Sequence, residues 1–336
     1  MKYKVYFLVS FLLLIFKNKT SNAQIVTLDS RSSFRALHIL SDKNIWVSGS
    51  NGSLLVSYDG GKHWKNTCPN LYKNLDFRGI FAINNNTILA MSSGNAEDGK
   101  AILLKTTNSG ESWNKVYESK EKGVFFDAIK FIDAKTGFVL GDAIDSKPYL
   151  LKTMDSGNSW FRIENKNFPD ILKGEASFAA SNSCLSTYKK NVWFNTQNRI
   201  FQSTNKGKTW KVTETPFESG NSKGIFGIYF KNELEGIAVG GDYKDTLTSN
   251  LQTAFTINGA KTWETKNLSY APGLSECTFL TENGKICIAS LQGIRISDNN
   301  GLSYKVIDKT PFHVISCLKN TCFAAGGNGK IGKWEF

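Results

Sequence analysis

The chain has 336 residues, of which 21% are charged and 40% are hydrophobic, and its formal net charge is +12 at pH 7. This length and composition exclude a disordered chain and allow a sizeable buried core. The basic residues are mostly lysines scattered along the sequence, with no arginine-rich run and no basic patch interleaved with aromatic residues. We therefore expect a solvated basic surface and no nucleic-acid partner, while an anionic partner such as lipopolysaccharide or an acidic protein stays open.

Residues 1–23 differ from the rest of the chain. An apolar run over residues 5–16 follows two lysines, and small residues precede Ala23. This order predicts a secretory signal peptide cleaved after Ala23, with residues 24–336 as one domain that is periplasmic or secreted. Two lysines also follow the apolar run, so an uncleaved membrane anchor is the alternative. No later apolar stretch is long enough to span a bilayer, so we expect no transmembrane span in the mature chain.

One eight-residue pattern, S/T-x-D/N-x-G-x-x-W, occurs six times and recurs every 41 to 53 residues; we call it the turn motif. Asp or Asn can accept hydrogen bonds from nearby backbone amides, and glycine supplies the positive φ of a tight turn. Ala260 replaces the glycine in the fifth copy, and Tyr304 replaces the tryptophan in the sixth. Because Asn replaces Asp in four copies, we interpret the motif as structural, with its aromatic ring packed on the outside of the sheet. The Asp or Asn positions are Asp59, Asn108, Asp155, Asn205, Asn258 and Asn299, and the tryptophans are Trp64, Trp113, Trp160, Trp210 and Trp263.

Each repeat has the pattern of four short β-strands. A first apolar strand such as FRALHIL is followed by a second with a glycine-rich end, such as IWVSGS. A third strand such as SLLVSYD leads into the turn motif, and a fourth such as WNKVYE begins at the tryptophan. Four-stranded units that repeat at this period are typical of the blades of a β-propeller. The sequence therefore predicts an all-β fold of four-stranded antiparallel blades.

The number of blades follows from the two ends of the repeat array. After Tyr304 a seventh unit supplies three strands and lacks a fourth. The segment QIVTLDS at 24–30 resembles YKVIDKT at 304–310, so we expect the N-terminal strand to complete the last blade. This closure leaves no open sheet edge at either end of the array. We predict a seven-bladed, monomeric β-propeller, with six or eight blades as alternatives.

The six cysteines show no CxxC spacing, so we expect no metal site. Cys317 and Cys322 flank a predicted tight hairpin in SCLKNTCF, which places them directly opposite each other. In an exported protein the two cysteines can form a disulfide or remain free thiols, and the sequence leaves both states open. The sequence contains no Rossmann-type glycine motif and no flavin or haem signature, so no cofactor is expected.

Polar residues on the first strands are the candidate site, because first strands line the central channel of a propeller. Charges of both signs at one mouth of the channel would suit a polar or zwitterionic ligand or the side chains of a partner. The alternative is a wet channel whose charges neutralise one another. The first-strand candidates are Arg35, Arg78, Asp127, Glu175, Glu276 and His313, and the candidates that follow second strands are Asp142, Asn195, Asp242 and Tyr243.

The turn motif resembles the Asp-box, or BNR repeat, of sialidases and of many non-enzymatic propellers, and the resemblance covers nearly the whole mature chain. The repeat period, together with SECTF, GIAVGGDY and GGNGKIGKW, is most similar to the photosystem II stability/assembly factor-like group. The resemblance implies a propeller, but a fold alone does not fix a function. We expect a scaffold that holds a protein or glycan partner at one mouth of the channel.

A glycoside hydrolase is the alternative function. Resemblance to sialidases implies three arginines for the substrate carboxylate and an Arg-Ile/Leu-Pro motif. The chain has six arginines in all, two of them on predicted first strands, and it lacks this motif. Another type of hydrolase would use two carboxyl groups, for which Asp127 and Glu276 are the candidates because they lie three blades apart and could face each other across the channel.

Overall fold

The computed structural model describes residues 23–28, 31–247, 253–266 and 273–336. These residues form seven four-stranded antiparallel sheets arranged in a ring, which confirms the predicted seven-bladed β-propeller. The predicted signal peptide lies outside the described residues, apart from Ala23. Within the described ranges, no helix has the length and apolar character needed to cross a bilayer.

Blades one to six take their strands in chain order from the channel outward, whereas the outermost strand of blade seven comes from the N-terminus. Blades one and two contain β2 (Phe34–Ile39), β3 (Ile45–Gly49), β4 (Ser53–Ser57) and β5 (Lys65–Asn66), then β6 (Asp76–Ala82), β7 (Ile88–Ser93), β8 (Ile102–Thr106) and β9 (Asn114–Glu118). Blades three and four contain β10 (Phe126–Phe131), β11 (Gly137–Ile144), β12 (Lys147–Thr153) and β13 (Phe161–Arg162), then β14 (Leu185–Tyr188), β15 (Asn191–Asn195), β16 (Arg199–Ser203) and β17 (Lys211–Glu214). Blades five and six contain β18 (Lys223–Phe230), β19 (Gly236–Asp242), β20 (Thr253–Thr256) and β21 (Glu264–Thr265), then β22 (Ser275–Leu280), β23 (Ile286–Ser290), β24 (Gly293–Ser297) and β25 (Lys305–Asp308). Blade seven contains β26 (Val314–Leu318), β27 (Thr321–Ala325), β28 (Lys330–Glu335) and the N-terminal strand β1 (Gln24–Thr27). Single-turn 3₁₀ helices occur at Asn70–Tyr72, Ala96–Asp98 and Asn165–Asn167.

The N-terminal strand closes the ring as predicted. Strand β1 pairs antiparallel with β28, with Gln24 opposite Lys333 and Thr27 opposite Lys330. In the same blade Cys317 lies opposite Cys322 with their Cα atoms 4.0 Å apart, and the two residues form a disulfide. Blade seven therefore joins the two ends of the described chain.

The core lies between neighbouring blades because the second strands are buried on both of their faces. Strands β3, β7, β15 and β23 are buried along their whole length. In β3, Trp46 faces the cluster shared with blade two, whereas Val47 faces the cluster shared with blades six and seven. Full burial of such side chains contributes about 1.5–3 kcal/mol each. Near-continuous apolar strands of this kind suit a sheet that is covered on both faces.

The turn motif keeps one set of hydrogen bonds in all six copies, apart from the bond made by Asn158 in the third copy, which has no equivalent in the second and sixth copies. In the third copy the Thr153 hydroxyl donates to Asp155 Oδ1 at 2.8 Å and accepts from the Gly157 N–H at 2.9 Å. Asp155 Oδ1 also accepts from the backbone N–H groups of Asn158 and Ser159, both at 3.0 Å. The hydroxyl-to-oxygen bond recurs at Asp59, Asn108, Asn205, Asn258 and Asn299, with lengths of 2.9, 2.9, 2.9, 3.1 and 2.8 Å. Only the acceptor oxygen is used in these bonds, so Asn and Asp can replace each other.

The expectation that the aromatic ring of the motif packs outside the sheet is wrong for four of the tryptophans. Trp113, Trp160, Trp210 and Trp263 are 7–8% exposed and lie in the core clusters that join each blade to the preceding one. The Trp113 ring, for example, meets Trp46 of blade one edge-on at 6.0 Å between ring centroids. The turn motif therefore contributes to the contact between blades as well as to the turn.

Gly207 of the fourth copy is predicted to be needed for this contact, although the fifth copy has Ala260 at the same position with a φ of +67°. Gly207 has a φ of +77°, and a Cβ there would lie 2.8 Å from the buried ring of Phe138 in the preceding blade. We expect Gly207→Ala to lower the free energy of unfolding by about 2–4 kcal/mol, from backbone strain plus overpacking. Gly284→Ala is the matched control, because Gly284 has a φ of +82° with nothing within 4 Å of the added Cβ. It should cost only about 1 kcal/mol in chemical denaturation, and equal losses would contradict the contact between blades.

Candidate functional site

Five predicted site residues lie on one face of the ring. First strands begin, and second strands end, on the same face because the two strands are antiparallel, as Phe34 opposite Gly49 shows in blade one. The turn motifs join third to fourth strands and therefore lie on the opposite face. Four of the five residues lie on first strands, and the fifth directly precedes β26. We call this face the upper mouth and define it by Arg35, Arg78, Asp127, Glu276 and His313.

A segment of the chain itself crosses the channel below the upper mouth; we call residues 177–184 the channel segment. Arg35 Nη1 donates to the Ala180 carbonyl at 3.3 Å, and Arg78 Nη1 donates to the Ala179 carbonyl at 3.1 Å. The segment continues to contact the first strands of blades three, five and six. These contacts are Ile129 N–H to Asn182 Oδ1 at 2.8 Å, Ile228 N–H to the Ser183 carbonyl at 2.8 Å, and Ser181 Oγ–H to the Glu276 carbonyl at 2.8 Å. One short segment can reach five blades only if it lies near the axis of the ring.

The channel segment was not predicted from the sequence. It belongs to the link at 163–184 between blades three and four, whereas the other links between blades have five to nine residues. Blade five makes room for it at Gly227, where a Cβ would lie 2.4 Å from Ser183 Oγ and 2.8 Å from the Glu276 carbonyl oxygen. The length of this link was the available signal in the sequence.

The charged groups of the upper mouth form two hydrogen-bonded groups. His313 Nδ1 lies 2.5 Å from Glu276 Oε2 and 3.5 Å from Arg35 Nη1. Arg78 Nε donates to Asp76 Oδ2 at 2.7 Å. Burial lowers the pKa of Arg35, Glu276 opposes this effect, and Arg78 adds to it. Arg35, Arg78, Glu276 and His313 therefore converge as predicted, and Asp76 is an additional member.

Asp127 and Asp142 form an acidic pair in blade three. Asp127 is 1% exposed, and its Oδ2 atom has no hydrogen-bond partner among the described residues. Burial raises the pKa of Asp127 well above its ordinary value, the charge of Asp142 raises it further, and Arg78 opposes both. Burial raises the pKa of Asp142 to about 6. Asp127 therefore retains its proton at a pH where an ordinary carboxyl group is ionised.

The prediction that Glu175 lies on a first strand is wrong, because it lies in the link before β14. Arg199 Nε donates to Glu175 Oε1 at 2.8 Å, Arg199 Nη2 binds Oε2, and the Leu172 N–H donates to Oε2 at 2.7 Å. Burial alone would raise the pKa of Glu175, but the bonds from Arg199 and Thr196 outweigh it and lower the pKa. Glu175 therefore anchors the link that carries the channel segment, and its carboxylate is already engaged.

Asp142, Asn195 and Asp242 were predicted to follow second strands, but they lie within β11, β15 and β19, and of the four candidates Tyr243 follows a strand. Asn195, Asp242 and Tyr243 differ in exposure. Asn195 is fully buried and donates to the Ile225 carbonyl at 2.9 Å, so its role is structural. Asp242 accepts from the Lys244 N–H at 2.9 Å in a surface turn. Tyr243 is 49% exposed and meets the Phe178 ring edge-on at 6.2 Å between centroids. Of these three residues, only Tyr243 offers a large exposed surface.

Aromatic rings accompany the arginines at the upper mouth. The guanidinium carbon of Arg78 lies 5.9 Å from the centre of the half-buried Phe125 ring. Phe178 of the channel segment stacks on Phe226 at 4.2 Å and also contacts Tyr243. Partly exposed arginine and aromatic side chains are the residue types that dominate the energy of protein–protein contacts.

One group of three potential metal ligands occurs among the described residues. The sulfur atoms of Cys287, Cys317 and Cys322 lie within 4.8 Å of one another. Two of these sulfurs are joined in the disulfide, so they do not act as thiolate ligands in this structure. Cys287 is buried, and burial raises the pKa of its thiol to about 12.

The fold and the upper mouth place the chain in the class of seven-bladed β-propellers with a mixed-charge, aromatic mouth. A solved structure described as YCF48 bound to D1 peptide is similar with a TM-score of 0.63 and 14% identity, covering 94% of this chain and 97% of that one. Virginiamycin B lyase from Staphylococcus aureus is similar with a TM-score of 0.69 and 13% identity, covering 94% of this chain and 99% of that one. At these identities the similarity shows the fold alone.

The sequence similarity to curated proteins is short. The chloroplastic photosystem II stability/assembly factor HCF136 of Arabidopsis thaliana is 46% identical over 46 residues, which is 14% of this chain and 11% of that protein. A comparison with protein-family models finds no match.

Because of the acidic pair, we expect the free energy of unfolding to fall as the pH rises. In the unfolded chain both carboxyl groups ionise near pH 4, whereas the folded protein holds their protons to higher pH. The folded state therefore binds more protons above pH 4, and the free energy of unfolding should fall through pH 4–7, by up to about 1.4 kcal/mol per pH unit for each retained proton. Asp127→Asn should flatten this slope and raise the stability at pH 7. Asp98→Asn, at an exposed site, is the control, and an unchanged slope in Asp127→Asn would contradict the assignment.

Proposed function

We propose that this chain is an exported, non-catalytic binding propeller that holds a segment of a partner protein at the upper mouth. The observation that carries the proposal is the set of partly exposed arginine and aromatic side chains above a channel crossed by the chain's own segment. A ligand would therefore rest on the mouth and would not thread through the ring. The similarity to a propeller whose structure contains a bound peptide supports a protein partner over a glycan.

The arginines of the upper mouth keep N–H groups that can donate hydrogen bonds to a ligand. Arg78 is half-buried and uses Nε for Asp76 and Nη1 for Ala179, and its Nη2 group has no hydrogen-bond partner in the described part of the chain. A guanidinium carries five N–H donors, so binding to the channel segment does not exhaust them. Arginines fixed in this way need little further ordering when they meet a carbonyl or carboxylate of a partner.

The export and the Asp-box assignment are parts of the same proposal. The charged and apolar pattern of residues 1–23 supports a signal peptide, and the disulfide of Cys317 with Cys322 fits an oxidising compartment. The shared hydrogen bonds of the turn motif support its assignment as an Asp-box, and the repeat supports a scaffold of the photosystem II assembly factor-like kind.

The geometry does not favour a glycoside hydrolase that uses Asp127 and Glu276. Asp127 is almost fully buried, and Glu276 is bonded to His313. The channel segment contacts blade three through the Ile129 N–H and blade six through the Glu276 carbonyl, so it fills the channel below the two carboxyl groups. A hydrolase needs both carboxyl groups to face one substrate cleft.

Site-specific photocrosslinking in the native cell envelope tests the binding proposal. A benzoylphenylalanine at Tyr243, on the upper mouth, should crosslink one partner segment, whereas the same group at Met154, 59% exposed on the opposite face, should not. Arg35→Gln with Arg78→Gln should reduce the crosslink about tenfold or more, as expected for interface arginines. Arg162→Gln is the matched control, because Arg162 lies on an outer strand and pairs with Glu121. Equal crosslinking from both faces, or no loss in the double variant, would refute the proposal.

A screen of residues 24–336 against aryl-glycosides, including a sialic acid substrate, tests the alternative function. We expect no turnover above background on any substrate. Turnover that is lost in both Asp127→Asn and Glu276→Gln would overturn the binding proposal and establish a glycosidase.

A further inference from the structure

A second polar site lies deeper in the channel. A cavity of about 140 Å³ is lined by the channel segment and by the first strands of six blades. Its lining begins one residue further along the strands than the upper-mouth residues, at Cys277 and Val314, and extends to three residues further, at Lys130 and Ser316. At about 3.3 Å per residue, the cavity reaches about 10 Å below the upper mouth.

The lining of the cavity carries one positive charge and no carboxylate. Lys130 is its single charged residue, and no Asp or Glu belongs to the lining. Among the described residues, Lys130 Nζ has no hydrogen-bond or ion-pair partner, and burial lowers the pKa of this lysine. An ammonium group inside a protein without a counter-charge is costly, and a bound anion would remove that cost.

Further hydrogen-bond donors converge on the same cavity. Asn182 is 2% exposed, and its Nδ2 group has no partner among the described residues. Its Oδ1 atom accepts from the Ile129 N–H, which fixes the amide so that Nδ2 is the group left over. Ser186 Oγ accepts from the Phe230 N–H at 3.2 Å and keeps its own proton to donate, and Ser316 also lines the cavity. The donors come from blades three, four and seven and from the channel segment.

We propose that this cavity binds one monovalent inorganic anion of the halide class, held by Lys130 Nζ, Asn182 Nδ2 and the hydroxyl groups of Ser186 and Ser316. A single ammonium group balances a single negative charge, and the remaining groups are neutral donors. The volume is several times that of a water molecule, so the anion can keep part of its hydration. The anion would connect the channel segment to three blades and so stabilise the ring with the segment in its channel. This site does not depend on the proposed partner binding at the upper mouth.

Thermal unfolding of the full mature chain in chloride tests the proposal. At constant ionic strength, replacing gluconate by chloride should raise the Tm saturably, by about 2–4 °C. Lys130→Met should lose this response. Lys152→Met is the matched control, because Lys152 is a partly buried lysine whose Nζ already donates to the Lys206 carbonyl at 2.7 Å. Its response to chloride should equal that of the unaltered protein.

A second variant and a direct measurement keep the test decisive if Lys130→Met does not fold. Asn182→Asp preserves the acceptor for the Ile129 N–H and replaces the donating amide by an acceptor, so it should also abolish the chloride response. Crystals grown in bromide should show an anomalous peak within hydrogen-bond distance of Lys130 Nζ. Equal Tm values in chloride and gluconate, an unchanged response in both variants, or water alone in the bromide crystals would overturn the proposal.

Discussion

The hydrogen bonds from Arg35 and Arg78 to the carbonyl groups of Ala180 and Ala179 are the interactions on which the candidate site depends. They join positions 145 and 101 residues apart and fix the channel segment across the ring. Hydrogen bonds that involve a charged group are worth about 1.5–3 kcal/mol each, so two of them can hold a short irregular segment in place. The same two side chains belong to the upper mouth. They therefore fix the position of the channel segment relative to the charged groups above it.

A segment inside a propeller channel must have its backbone polar groups satisfied, because little water reaches them. Blades three and five, through Ile129 and Ile228, supply backbone N–H groups to the segment, while the segment's Ser181 donates to a carbonyl of blade six. Behind it, the Glu175–Arg199 pair fixes the link before the segment enters the channel. Removing one member of such a buried pair leaves the other charge uncompensated, which is why the pair serves as an anchor.

The ring, the blade count, the N-terminal closure and the Cys317–Cys322 pairing could all be predicted from the sequence because each depends on a repeated or local pattern. The turn motif repeats six times, and the cysteine register follows from a two-residue hairpin turn. The channel segment could not be predicted in this way, because it is aperiodic and all its defining contacts are long-range. Glu175 was misplaced for the same reason, since a polar residue before an apolar stretch resembles the start of a first strand. The convergence of Arg35, Glu276 and His313 was predictable, since the topology alone brings the starts of first strands together.

The channel segment also separates two electrostatic environments that a simple propeller channel would merge. Above it, charges of both signs pair with one another and leave partly exposed arginine and aromatic groups, an arrangement suited to a large ligand that arrives from solvent. Below it, one ammonium group and several neutral donors face a small cavity without a carboxylate. The irregular link between blades three and four therefore lies between a mixed-charge mouth and a cavity in whose lining Lys130 is the single charged residue.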